Sequence, residues 1–146
     1  MTTEVDDLQR FIAAQEGVYE QALEEVRQGR KRSHWMWFIF PQLYGLGMSA
    51  MSQRYAIRSL DEARAYLAHS VLGERLRACF ETALAVEGRS AYEIFGSPDD
   101  MKFHACATLF ALVAPPGSVF QRALEKYFAG QPHRKTLTLL GLERMP

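Results

Sequence analysis

What most constrains this chain is its punctuation: signals that start and stop helices recur along its length, and nothing with the rhythm of a strand lies between them. Ser59-Leu60-Asp61-Glu62 has the form of a capping box, in which serine and glutamate satisfy amides that a helix leaves unpaired at its start. Leu60, Ala63 and Leu67 follow at helical spacing. Ser90-Ala91-Tyr92-Glu93 and Ser118-Val119-Phe120-Gln121 repeat the device. Ser97-Pro98-Asp99-Asp100 predicts a further start, with a serine cap, a proline in the first turn and two acids facing the positive end of the helix dipole. Stops are predicted at Gly29, Gly88, Gly96, the Ala114-Pro115-Pro116-Gly117 turn, Gly130 and Gly141. Leu8, Phe11 and Ile12 fit one helix face after Asp6 and Asp7, and Val18, Ala22, Leu23 and Val26 fit another. The expectation is an all-α fold: a single compact domain over residues 1–146, with about eight or nine short helices and no repeat or linker.

A strand competes only at Trp35-Met36-Trp37-Phe38-Ile39-Phe40, where the aromatic content suits a sheet. A strand needs partners for its amides and carbonyls, and the rest of the chain offers none. A short helix is therefore predicted, capped by Ser33 and ended by Pro41. Its apolar residues point in every direction, so it is expected at the centre of the domain, buried on all sides.

Composition narrows the functional classes. The chain balances 17 basic against 17 acidic residues and is 48% hydrophobic, which excludes intrinsic disorder. Zero net charge removes the usual electrostatic case for nucleic acid. The densest apolar run is far short of the roughly 20 residues that span a bilayer, and the acidic start from Met1 to Asp7 lacks the pattern of a signal peptide. A cytoplasmic protein is expected, monomeric or at most a weak homo-oligomer, with neither nucleic acid nor membrane as partner. Cys79 continues the apolar stripe of Leu72, Leu76, Phe80 and Ala83, so it and Cys106 read as buried thiols. Neither has a second cysteine at zinc-ligand spacing and the histidines are scattered, so no metal or other cofactor is expected.

Ser33-His34-Trp35-Met36-Trp37-Phe38-Ile39-Phe40-Pro41-Gln42, followed by Gly45-Leu46-Gly47-Met48-Ser49, resembles the signature of the bacterial family known as domain of unknown function eighteen-ten. The similarity continues through Ser59, Glu62-Ala63, Tyr66-Leu67, Ile94-Phe95-Gly96, Asp99-Asp100, Lys102, Thr108-Leu109-Phe110 and Thr136-Leu137. It implies an all-helical fold and brings no established activity with it. Two departures stand out: Ala105 and Cys106 occupy places where hydroxyl-bearing residues are usual, and His133 stands where an aspartate usually precedes Thr136. The label calpastatin-like, sometimes attached to the family, does not suit a folded aromatic-rich domain, because such inhibitors are extended disordered chains.

Two constellations are candidates for a site. In the first, Arg30, Lys31 and Arg32 precede the aromatic segment, and Gly45-Leu46-Gly47 leads to Ser49 and a predicted helix, where small residues let backbone amides approach an anion. Arg32, Ser33, His34, Trp35, Trp37, Gln42, Gly45, Gly47 and Ser49 are its ligand-binding candidates. The tryptophans point to different sides of their helix, so one at most faces a common ligand while the other packs inside. His34 is the candidate acid or base, since an imidazole titrates near neutrality. The blander account makes the cations a solvated turn and the glycines an ordinary bend.

In the second constellation Asp100, His104 and Thr108 recur every four residues as a polar line, with Lys102 on the opposite side. Asp100, Lys102 and Thr108 are its candidates, and the bland account assigns Asp99 and Asp100 to the helix start. The expected function is binding of a small anionic or nucleotide-like ligand in an aromatic, basic pocket. The alternatives are a protein-interaction module without a small ligand, or a hydrolase or transferase acting on an ADP-ribose-like derivative.

Overall fold

A computed structural model describes residues 6–145. The acidic start from Met1 to Val5 lies outside the described residues, as does Pro146. A turn of 3-10 helix, Asp6–Leu8, leads into α1 (Gln9–Gln15) and α2 (Tyr19–Arg27). Then follow α3 (Met36–Ile39), α4 (Ala50–Arg54), α5 (Leu60–Ala68), α6 (Leu72–Ala85) and α7 (Ala91–Phe95). The chain finishes with α8 (Asp99–Ala111), α9 (Val119–Phe128) and α10 (Arg134–Leu139). The described residues hold ten α-helices where about eight or nine are expected from sequence. The pieces of four to six residues, α3, α4, α7 and α10, are too short to register through periodicity. No sheet forms among the described residues. A single parallel bridge pairs Leu43 with Ile57.

Helical spacing puts one face of α6 and one face of α9 inside. On α6 Leu72, Leu76, Cys79, Phe80 and Ala83 are buried, which is the predicted stripe. On α9 Val119, Phe120, Ala123 and Leu124 face inward, while Arg122 reaches Glu81 on the surface of α6 at 2.8 Å. Ser49, Ser59, Ser90 and Ser118 each accept the amide of the third residue of the helix they begin.

Two predicted caps are not made. The Ser33 hydroxyl bonds Glu25 at 2.6 Å and Trp35 stands at the start of α3 without a side-chain cap. Ser97 likewise caps nothing: Pro98 precedes α8, the Asp100 amide bonds the Gly96 carbonyl at 2.8 Å, and the Asp100 carboxylate takes the Met101 amide at 2.9 Å. In both places a nearer or stronger partner has taken the group that the cap would use.

The aromatic core is distributed rather than gathered on one helix. Phe103 stacks on Phe80 at 5.1 Å and on Phe95 at 4.6 Å, and Phe40 meets all three rings edge-on. Phe40 lies just beyond α3, whose Trp37 remains half-buried. The element enclosed most fully is α8, buried without a break from Ala105 to Phe110 and packed against α5, α7, α9 and α10. The expectation of α3 as the centre is corrected accordingly: four residues present too little surface to organise a core, whereas α8 runs through it.

Candidate functional site

The approach to α3 is set by one acid. Glu25 stands on the apolar face of α2, and its Oε1 accepts the amides of Arg32 at 2.8 Å and Ser33 at 3.1 Å and the Trp35 indole N–H at 2.9 Å. Its Oε2 accepts the Ser33 hydroxyl and the Gln21 amide at 3.1 Å. Burial alone would raise this carboxyl, but the hydrogen bonds from Ser33, Arg32, Gln21 and Trp35 outweigh it and hold the group down at about 2. Ser33 and Trp35 are thereby drawn inward, and Trp35 is completely buried. Arg32 and His34 stay exposed on the same connection. Lys31 crosses to Asp99 at 2.9 Å, which ties this segment to α8.

From Gln42 the chain makes a closed excursion. The Tyr44 amide donates to the Ile57 carbonyl at 2.8 Å and the Ile57 amide to the Gln42 carbonyl at 2.9 Å, so residues 43–57 leave and return through one neck. Gly45 has φ of +104°, and a β-carbon there would meet Leu139 at 3.4 Å; one at Gly47 would collide with the Ser52 hydroxyl. The two glycines thus answer to backbone shape and close packing, and the helix that Ser49 caps is only five residues long.

A groove of about 320 Å³ opens where this excursion meets α8 and the start of α10. Gln42, Leu46 and Gly47 line one side, Pro98, Met101 and Lys102 the second, His133 and Lys135 the third. Lys102 lies 3.6 Å from Asp99 and 5.1 Å from the centre of the Trp37 ring. Lys135 and the Gln42 side chain have no hydrogen-bonding partner among the described residues. Other cavities carry cations beside acids, as Arg75 with Glu74 or Arg134 with Glu143, whereas among the described residues no acid lines this groove.

His133 is held by its own helix. Its Nδ1 accepts the Thr136 amide at 3.3 Å and lies 2.9 Å from the Thr136 hydroxyl, so imidazole here performs the capping that an aspartate would perform. The His133 amide donates to the Thr108 hydroxyl at 2.8 Å, and that hydroxyl donates to the His104 carbonyl at 3.0 Å. His104 stacks on Phe128 with ring centres 3.8 Å apart, its Nε2 2.7 Å from the Gln131 carbonyl. Burial lowers the pKa of both histidines; for His133 the neighbouring His104 and Lys135 push the same way.

Of the sequence candidates, Gln42, Gly47 and Lys102 come together here, with Trp37 beside Lys102. Thr108 is completely buried and braces His133 from behind. Asp100 is half-buried and serves the first turn of α8. Gly45 borders Leu139, and Ser49 caps α4. Arg32, Ser33, His34 and Trp35 are not among the lining residues. Lys135 and the capping role of His133 were missed from sequence; the available signal was the histidine three residues before Thr136. Glu25 was missed because an acid on an apolar helix face looks like an edge residue until its partners are placed. Cys79 and Cys106 are free and buried, and burial pushes the Cys79 thiol up to about 12.

The protein family of unknown function DUF1810 matches the chain over residues 5–140. A crystal structure of the conserved hypothetical protein Rv1873 from Mycobacterium tuberculosis is 51% identical and superposes with a TM-score of 0.90, covering 93% of this chain and 97% of that one. No curated protein matches.

Proposed function

This chain belongs to the DUF1810 family, and from that premise we propose that it binds a small anionic ligand in the groove between the 43–57 excursion, α8 and α10. One observation carries the reading: side-chain donors from three separate parts of the chain, Gln42, Lys102, His133 and Lys135, border one groove. Ligand sites combine apolar walls with a few converging polar groups, and Leu46, Pro98 and Met101 supply such walls here. Among the described residues lining the groove the titratable groups are the amines of Lys102 and Lys135 and the His133 imidazole, and the function proposed is binding.

Thermal melting in the presence of inorganic phosphate, nucleotides and sugar phosphates at matched ionic strength tests this. A ligand at about 100 times its Kd adds about 2.7 kcal/mol of stability, a shift of several degrees for a domain of this size. Lys102→Ala and Lys135→Ala should each remove most of the shift. If none of these anions moves the melting point of the unaltered protein, the groove is not an anion site.

A further inference from the structure

We propose, resting on the anion-groove reading, that the ligand is a phosphate monoester whose organic group lies against Leu46, Pro98 and Met101. The argument begins with the proton on His133. A backbone amide can only donate, so the Thr136 N–H at 3.3 Å requires a lone pair on Nδ1. The neutral ring therefore carries its proton on Nε2, which has no hydrogen-bonding partner among the described residues. Thr108 fixes the backbone of His133 to α8, the helix that bears Met101 and Lys102, so the imidazole and the lysine share one scaffold. His133 is an uncharged donor of defined tautomer, held in place by bonds that do not involve the groove.

The full set is then two ammonium groups, one imidazole N–H and one carboxamide. Asp99 offsets Lys102 only in part, because it sits closer to Lys31, at 2.9 Å against 3.6 Å. A carboxylate offers two coplanar oxygens and a single charge, and a phosphodiester two terminal oxygens and a single charge. A phosphate monoester carries a charge of about −1.5 to −2 at neutral pH and three acceptor oxygens. It alone among these matches two cations and four donor groups arriving from three sides. A water molecule occupies about 30 Å³ in the liquid, so the groove of about 320 Å³ exceeds the needs of a bare anion. Met101, 57% exposed, offers the remaining space an adaptable apolar surface.

Titration calorimetry with four probes at constant ionic strength separates the possibilities: phenyl phosphate, inorganic phosphate, methyl phenyl phosphate and benzoate. Phenyl phosphate should bind more tightly than inorganic phosphate, and about tenfold or more tightly than the diester or benzoate. His133→Asp keeps an oxygen to cap α10 but turns a donor into an anion, so it should melt normally and lose phenyl phosphate binding. Lys135→Gln, on an exposed side chain, should weaken binding about tenfold without touching the cap. Benzoate or the diester binding as tightly as phenyl phosphate would overturn the monoester assignment and leave the wider anion groove standing. Failure of all four probes removes both.

Discussion

Glu25 shows how much one side chain can decide. A buried carboxylate survives only if its oxygens are satisfied, and this one accepts five hydrogen bonds from Gln21, Arg32, Ser33 and Trp35. Removing the acid strands the Trp35 indole N–H and two backbone amides, so Glu25→Ala should cost about 2–4 kcal/mol in urea unfolding. The sign of the pH effect follows from the depressed value of about 2 against the ordinary 4.5. Between those values the unfolded chain binds the proton more readily, so this stabilisation is present above about pH 4.5 and is lost as pH falls towards about 2. Unfolding curves at pH 6 and pH 3 should show a smaller loss on acidification in Glu25→Ala than in the unaltered protein. Equal losses would mean that other carboxylates carry the acid sensitivity. Little local announces this residue, because all its partners but Gln21 lie seven to ten positions downstream across a turn.

At the scale of the element, capping is where sequence reading and structure agree most closely, and the residual differences are informative. Ser90 and Glu93 form the full reciprocal box. Glu62 instead returns to the amide of Arg58 at 2.9 Å, and Gln121 to that of Gly117 at 2.7 Å, each one residue ahead of its serine. The serine alone thus sets the start of the helix, while the third-position side chain is free to pin the chain that enters it. For α5 that side chain does more: Glu62 is completely buried and pairs with Arg10 at 3.4 Å, and Arg10 holds the carbonyls of Arg54 and Ala56. Ser59→Ala should therefore cost about 1 kcal/mol. Glu62→Ala, which leaves Arg10 without its buried partner, should cost about 3 kcal/mol or more. Chemical denaturation of the two variants checks the ranking, and equal costs would reduce Glu62 to a cap. Ser33 and Ser97 illustrate the limit of the same motif: a serine before an apolar or acidic run caps a helix only when no tertiary partner or backbone turn claims the group first.

Across the whole molecule, what is legible in the sequence is what is local: the helical class, the stripe of α6, and the serines that start α5, α7 and α9. The groove is not local, because its walls are contributed near residues 42–47, 98–102 and 133–135, and only packing brings these together. Lys135 carries no periodic or motif signal, so its membership follows from α10 docking beside α8. A site assembled this way should be lost as a unit when the fold opens, and the two buried thiols report that opening. Cys79 is 1% and Cys106 0% exposed, with both pKa values raised by burial, so a thiol reagent should label them only through transient unfolding. If that unfolding is global, a ligand that binds the native groove slows labelling by the factor 1 + [L]/Kd. Phenyl phosphate at about ten times its Kd should then slow both cysteines about elevenfold, and Lys135→Gln should restore most of the rate at the same concentration. Labelling that stays fast while calorimetry reports binding would show that the α6 and α8 core opens without disturbing the groove, which would make the site a separate cooperative unit.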